Sequence, residues 1–381
     1  MKEYDYLVVG AGIFGATVAE RLASANKKIL VIDKRKNVAG NIYSYTDEET
    51  KIEVHEYGSH IFHTEIDEVW NYITRFAEFN DYVHMVNTRH NGKLYPMPIN
   101  LDTINLLYGT NMDAKRAKEF ILRVAQEDMK RLNIVIPRNF EEKAISMVGE
   151  KLYNSLIKHY TEKQWNTLAC NLPAEILSRI PIRFSCDNRY FMTAKYQGIP
   201  KLGYTNMISS MLSSKRIDIK LGVNFKDIKD DIPDDLYIIY CGQVDELLDY
   251  KIGVLPWRSL RFKKEKSDAT LKQAVINEAD DNVPYTRTHD FKYYQTHQPG
   301  VIRQSKSIIM REYPMNFKRG KEAYYPVNDV VSEGLYKKYV KLCREKYPRL
   351  ILGGRLGAYR YWDMDKSVLE ALKLAHLLSD M

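Results

Sequence analysis

The sequence predicts an α/β fold: a nucleotide-binding domain assembled from discontinuous segments, with a helical lobe and an antiparallel β-sheet domain as inserts. Three observations predict it. The N-terminus reads as strand, glycine turn, helix and strand; residues from about 100 to 178 carry helical patterns; and strand-like runs recur from Trp257 to Tyr313 before the α/β pattern returns. The expected segments are 1–85, 200–245 and 350–381 for the nucleotide-binding domain, 100–180 for the helical domain, and 86–99, 181–199 and 246–349 for the sheet domain.

The stretch "DYLVVGAGIFGATVAERLASANKKILVIDKR" is the most specific. Asp5 to Val9 is a buried strand, Phe14 to Ala25 has helical periodicity, and Lys28 to Ile32 is a second strand ending in Asp33. Between them Gly10, Gly12 and Gly15 form GxGxxG, which lets the chain turn tightly, lets backbone N–H groups approach a pyrophosphate and lets helix pack on strand. Asp33 stands where a carboxylate accepts hydrogen bonds from ribose hydroxyls. After it comes "KRKNVAGNIYSY", a basic loop rather than another strand and helix, and no second GxGxxG follows. The early exit from the sheet suits a flavoprotein with an FAD-binding Rossmann-like domain, and one tightly held dinucleotide is the simpler reading.

Further along, Asp67 to Phe79, Asp113 to Leu132, Phe140 to Met147 and Lys151 to His159 read as helices. "KLYPMPINL" is extended because Pro96 and Pro98 block a helix, and Arg183 to Ile199 is strand-like. A helix from Thr205 to Leu212 and strands at Ile217 to Leu221 and Tyr237 to Tyr240 restore the α/β pattern. Strands at Trp257 to Phe262, Gln273 to Asn277, Arg287 to Tyr294 and Ser307 to Tyr313 suggest an antiparallel sheet. The chain closes with helix Glu333 to Lys346, strand Leu350 to Leu352, a glycine turn and helix Ser367 to Leu378.

A length of 381 residues, 45% hydrophobic and 28% charged, is ordinary for a globular protein with room for a deep site. The net charge of +8 is spread along the chain with no basic block, which favours an anionic small molecule over nucleic acid, and no basic amphipathic helix suggests a membrane surface. The 28 tyrosines cluster late, in "FKYYQTH", "EAYYPV" and "GAYRYWDMD", and offer flat faces with polar tips for a sugar, base or phosphate. Cys170, Cys186, Cys241 and Cys343 are widely separated and read as free thiols; with no signal peptide pattern at the start and no long apolar run, a cytoplasmic protein is expected.

"EYGSHIFHT" holds His60 and His63, and an HxxH pair alone leaves metal ligand, acid–base group, cofactor lining and core histidine all open. Several stretches bear on the question by resemblance. "EYGSHIFHT", "HYTEKQW", "RIPIRFSCDNRYF", "YQGIPKLGYT", "VINEADDNVPYTR", "EAYYPVND" and "GGRLGAYRYWDMD" resemble, in order and over most of the chain, the successive motifs of the bacterial UDP-galactopyranose mutase family. The resemblance implies an isomerase that interconverts UDP-galactopyranose and UDP-galactofuranose with no net redox change, for cell-surface polysaccharide synthesis. It implies reduced FAD as cofactor, with the flavin N5 attacking the anomeric carbon and displacing UDP. A reductant such as NAD(P)H, a homodimer and the absence of a metal are implied with it.

Residue by residue, the resemblance makes Arg287 the arginine on the diphosphate and Arg179 its counterpart on a mobile loop; two guanidinium forks suit a diphosphate leaving group. Tyr160 and Trp165 fall on the uridine side, and Asn87, Tyr190, Phe191 and Asn277 on substrate-pocket positions. Tyr361 matches a tyrosine on the diphosphate, and Tyr324 or Tyr325 shares that role. Phe14, Lys34, Gly40 and Asn41 join the glycines and Asp33 on the cofactor, as do Arg355, Asp363 and Met364 near the C-terminus; Asp363 taken alone equally suits a helix cap. His63 is implied against the flavin ring, as a catalytic residue, with His60 nearby.

Two motifs depart from the family pattern: Gly58-Ser59-His60 replaces GPH, and Ala39-Gly40-Asn41 replaces GGN. Both substitute small residues, which keeps tight backbone packing and admits altered sugar tolerance, such as an N-acetyl group. The competing classes are a redox flavoenzyme on the amine-oxidase-like FAD fold, which would have its flavin reduced by the organic substrate, and a non-catalytic UDP-sugar or dinucleotide-binding regulator.

Overall fold

A computed structural model describes residues 1, 3–174, 182–327 and 329–379. At its centre the apolar run Tyr6–Val9 forms the middle strand of a five-stranded parallel sheet, ordered Leu350–Leu352, Tyr237–Tyr240, Tyr6–Val9, Ile29–Asp33, Ile217–Leu221. Val8 lies opposite Ile239 on one side and Val31 on the other. Successive side chains point to opposite faces, and both faces are covered. Val8 and Val31 pack with Val18 and Leu22 of helix Ile13–Ser24 and with Val368 and Ala371 of helix Met364–Ser379. Leu7, Val9, Leu30 and Ile32 pack instead with Tyr339 and Cys343 of helix Val330–Lys346. The central strands are therefore apolar without alternation, from Tyr6 to Val9 and from Ile29 to Ile32.

The second sheet has seven strands, ordered Tyr325–Pro326, Trp257–Ser267, Ser307–Asn316, Arg287–Asp290, Val275–Glu278, Val86–His90, Lys93–Met97. It is mixed rather than antiparallel, because Val275–Glu278 runs parallel to Val86–His90. Helices Leu101–Tyr108, Ala114–Arg131 and Phe140–Val148 make the helical lobe. A further helical stretch from Glu150 passes through a π-turn at Tyr153–Ile157 into Lys158–Trp165, six residues beyond the expected end.

Two other expectations are corrected. The helix expected from Asp67 to Phe79 stops at Ile73, and Phe79, whose position continues the helical pattern, turns in to pack its ring 5.0 Å from Trp70 and 5.7 Å from Phe62. Of residues 181–199, those described add no strand to the large sheet. Tyr196–Gly198 pairs with Phe62–Thr64, and Arg189 makes a single bridge to Met85. Upstream, local side-chain bonds replace a ladder: Asp187 accepts from the Arg189 N–H at 3.0 Å, and Arg183 donates to the Arg189 and Tyr190 carbonyls.

Candidate functional site

A cleft opens at the carboxyl ends of the parallel strands, where open α/β sheets bind ligands. The GxGxxG turn forms its floor. Gly10 has φ +117°, and a Cβ on Gly15 would fall 1.9 Å from the Gly10 carbonyl oxygen, so helix and strand meet only through glycine. Gly12 faces Gly40, with 3.8 Å from its imagined Cβ to the Gly40 Cα. Phe14, Lys34, Asn41, His60, Arg355 and Met364 complete the lining that the sequence assigned to a cofactor. Asp33 also lines it; one carboxylate oxygen accepts from Ala11 N–H and the other from Arg35 N–H, both at 2.8 Å, which aims the carboxylate at the turn. This backbone cradle, an acid beyond it and a helix N-terminus fit a dinucleotide pyrophosphate and ribose. Asp363 is not among the lining residues; it precedes helix Met364–Ser379, and its carbonyl accepts from Ser367 N–H at 2.9 Å.

A second constellation lies on the large sheet. Arg287 Nε donates to Tyr160 Oη at 3.0 Å, and Nη1 lies 3.8 Å from the buried Glu312 carboxylate on the neighbouring strand. Tyr190 and Tyr361 are within electrostatic reach of the same guanidinium. Asn277 sits directly opposite Arg287 in the ladder, and its Oδ1 is buried without a hydrogen-bond partner, an acceptor ready for a ligand donor. The two sites adjoin: Arg355, which lines the cleft, lies 5.2 Å from the centre of the Tyr361 ring, and Tyr361 packs edge-on to Tyr325 at 5.5 Å. Tyr325 thus faces this corner. Tyr324 points elsewhere, buried between Phe262 and Tyr57.

Not every assigned residue converges. Asn87 pairs with Ile276, so alternation sends it to the face opposite Arg287, and its amide donates to Gln273. Trp165 is partly buried against the core at the end of the Tyr160 helix. Arg179 lies outside the described residues.

His84, which sequence reasoning passed over, lies against the assigned aromatics and within electrostatic reach of Arg287. Its ring packs against Tyr190 at 5.3 Å and Phe191 at 5.5 Å, and burial, with the Arg287 and His289 charges, lowers its pKa to about 3. His63 stacks on Phe191 with ring centres 3.6 Å apart; burial lowers its pKa against the pull of Asp363 and Asp365. It is not among the cleft-lining residues, whereas His60 is. Burial and the Arg355 charge lower His60 to about 4, so its ring is neutral at neutral pH. Its Nδ1 lies 2.7 Å from the Gly58 carbonyl and must donate there, leaving Nε2 as an acceptor. Among the described residues no cluster of His, Cys, Asp and Glu could hold a metal ion.

Other unassigned groups fix the corner. Lys163 Nζ is hydrogen-bonded to the carbonyls of Glu278, Asp280 and Val283 at 2.7 to 2.9 Å, tying the Tyr160 helix to the loop that leads into Arg287. Ser59, in the place of the family proline, bridges Tyr294 Oη and His289 Nδ1, and His289 Nε2 lies 3.4 Å from Glu312. A polar chain therefore runs from Tyr294 through Ser59, His289 and Glu312 to Arg287. Ser59→Ala leaves two buried polar atoms unpaired and should cost about 1–3 kcal/mol, read as a lower urea midpoint; an unchanged midpoint would show that the bridge carries no stability. The other departure is mildly strained: Ala39 has φ +76°, a left-handed conformation costing a side chain roughly 1 kcal/mol.

Fold and cleft together define a protein of the dinucleotide-binding Rossmann-like class, with an arginine- and tyrosine-lined corner beside the cleft. Comparison narrows the class. Residues 8–76 match the model of the NAD(P)-binding Rossmann-like domain, and residues 155–361 match that of UDP-galactopyranose mutase. The chain is 36% identical to a probable UDP-galactopyranose mutase of Klebsiella pneumoniae, over 98% of this chain and 94% of that one. It is 35% identical to the dTDP-fucopyranose mutase of Escherichia coli, over 97% of both. Among solved structures it superimposes on reduced UDP-galactopyranose mutase with a TM-score of 0.73, covering 99% of this chain and 96% of the other at 15% identity. A putative protoporphyrinogen oxidase from Exiguobacterium shares the fold, with a TM-score of 0.62 and 98% of both chains covered at 12% identity. The chain belongs to the UDP-galactopyranose mutase family, a family of isomerases with a flavin cofactor.

Proposed function

We propose that this protein interconverts the pyranose and furanose forms of UDP-galactose, and does so only when its FAD is reduced. The observation that supports the reading is the junction of the two sites at Arg355 and Tyr361, which brings an arginine- and tyrosine-lined corner, suited to a diphosphate, against the cleft. When bound and reduced, the flavin supplies a nitrogen nucleophile for the anomeric carbon. The chain's own residues bind and orient. Arg287 presents a guanidinium fork to the diphosphate and disperses its charge as UDP departs, with Tyr190, Tyr325 and Tyr361 as phenol partners. Arg179 would add a second guanidinium. Asn277 Oδ1 accepts from the substrate, and Tyr160 holds the Arg287 fork in place. Neutral His60 offers an acceptor to a flavin N–H, and the His63, His84 and Phe191 stack walls the sugar pocket.

In this reading the enzyme works in the cytoplasm as a homodimer, draws electrons from a reductant such as NAD(P)H, and its product enters cell-surface polysaccharide. Among the described residues no helix is long and apolar enough to cross a membrane. A second substrate, a dTDP-linked 6-deoxy sugar, is favoured by one observation: the dTDP-fucopyranose mutase is as similar to this chain as the UDP-galactopyranose mutase is.

The test is chromatographic. The purified protein is incubated with UDP-galactofuranose, and separately with dTDP-fucofuranose, with and without dithionite. Formation of UDP-galactopyranose only under dithionite supports the reading. Conversion of the dTDP sugar alone would reassign the substrate, and no conversion of either by flavin-loaded protein would overturn the mutase activity and favour a redox flavoenzyme.

A further inference from the structure

Beyond Asp33 the cleft continues into a pocket that the GxGxxG motif does not account for. One wall is Val223 to Lys226, tied to the acid's own loop by Val223 N–H to the Asp33 carbonyl at 3.0 Å and Gly222 N–H to the Arg35 carbonyl at 2.8 Å. The other is the turn Cys241, Gly242 and Gln243, which follows strand Tyr237–Tyr240. Phe225 and Tyr240, ring centres 5.5 Å apart, lie between them. With the pyrophosphate on the glycine turn and the ribose on Asp33, the nucleobase of the dinucleotide falls here.

Gln243 is 3% exposed, lines this end, and its Nε2 has no hydrogen-bond partner. It precedes the short helix Val244–Leu247 but makes no side-chain cap bond to it. A buried donor without a partner costs free energy unless a ligand satisfies it. A carboxamide carries a donor and an acceptor side by side, the complement of the amino edge of adenine, with N6 donating and the adjacent ring nitrogen accepting.

We infer that Gln243 reads the adenine of the flavin dinucleotide through its side-chain amide, and so selects FAD over flavins that lack this base or its amino group. The inference rests on the flavin reading above. On the N6/N7 edge that a glutamine amide reads, hypoxanthine presents O6 beside N7, two acceptors, and loses one of the two hydrogen bonds; FMN lacks the base altogether.

The test titrates the full-length, deflavinated chain with FAD, with FMN and with flavin hypoxanthine dinucleotide, following quenching of flavin fluorescence. Wild type should prefer FAD to the hypoxanthine analogue by roughly tenfold. Gln243→Met keeps side-chain length and should weaken FAD by about as much, erase that preference and leave FMN affinity unchanged. Equal affinity of wild type for FAD and the analogue would overturn the inference without reliance on any variant. Unchanged FAD affinity in Gln243→Met, or an equal loss for FAD and FMN, would overturn it as well. Wild type that binds no FAD at all would overturn the flavin reading together with it, an outcome distinct from the others.

Discussion

Arg287→Ala should lose about 10²- to 10³-fold in turnover while the protein keeps its flavin, because Arg287 is not among the residues that line the cofactor cleft. The guanidinium has two tasks. It faces the proposed diphosphate site, and it is the cation beside buried Glu312, 3.8 Å away. Burial pushes the Glu312 carboxyl up, but Arg287 and His289 outweigh burial and hold it below its usual value of 4.5. In wild type this pair therefore stabilises the fold above the unfolded carboxyl pKa, and that contribution is lost as pH falls through the folded value. Without Arg287, burial is unopposed by its main partner and the carboxyl moves up. The variant's deficit in stability should then be larger near pH 7 than near about pH 4, where the carboxyl can protonate. Urea midpoints at the two pH values check this. Arg287→Lys keeps a charge near Glu312 but loses the planar fork, so it should recover more stability than turnover. Full activity in Arg287→Ala would remove this residue from the diphosphate site.

Gly15→Ala should give a colourless, weakly folded protein. The added Cβ would lie 1.9 Å from the Gly10 carbonyl oxygen and 3.1 Å from Val8 Cγ1. The nearest atom is backbone, so no rotamer relieves the clash, and the helix start must move away from the central strand. Overpacking of this kind costs about 1–3 kcal/mol or more, and the moved helix N-terminus no longer meets a pyrophosphate. Gly12→Ala is the informative contrast. Its Cβ meets only the Gly40 Cα at 3.8 Å, so the protein alone tolerates it, and any loss there reports the close approach of the ligand. Visible flavin absorbance and thermal unfolding separate the two: Gly15→Ala should lose both, Gly12→Ala the flavin alone. Normal flavin content and stability in Gly15→Ala would mean that helix and strand have room that the geometry denies.

The legible parts of this protein are those whose cause is local. Tyr6–Val9, the glycine turn, helix Ile13–Ser24 and Asp33 are contiguous, and each needs its residue types for reasons visible within a few positions: an apolar run for a strand covered on both faces, glycine for a Cβ-free contact, small residues for close helix packing. Helices such as Ala114–Arg131, with Asp113 capping Arg116 N–H, announce themselves in the same way. The long motifs placed Arg287, Tyr160, Asn277 and Tyr361 around one corner for a different reason, because they resemble a family; periodicity alone would have left Arg287 as a surface ion pair.

The errors have the opposite character. Asn87 lies in a strand whose residues alternate between two faces of a sheet, and only the pairing with Ile276 reveals that it faces away from Arg287. His84, three residues earlier, faces the site instead. Ser59 and His289 are 230 positions apart, and Lys163 meets its carbonyl partners more than 100 positions away. No local signal joins such residues, since a hydrogen bond between distant segments depends on how two sheets and a helical lobe are stacked. By itself the sequence determined the local conformations and the kind of cofactor cleft, which follow from short-range sterics and hydrogen bonding. Only the tertiary structure decided which polar groups share a face, which buried charge stands next to Arg287, and which amide is left without a partner, because register and packing between remote strands set those distances.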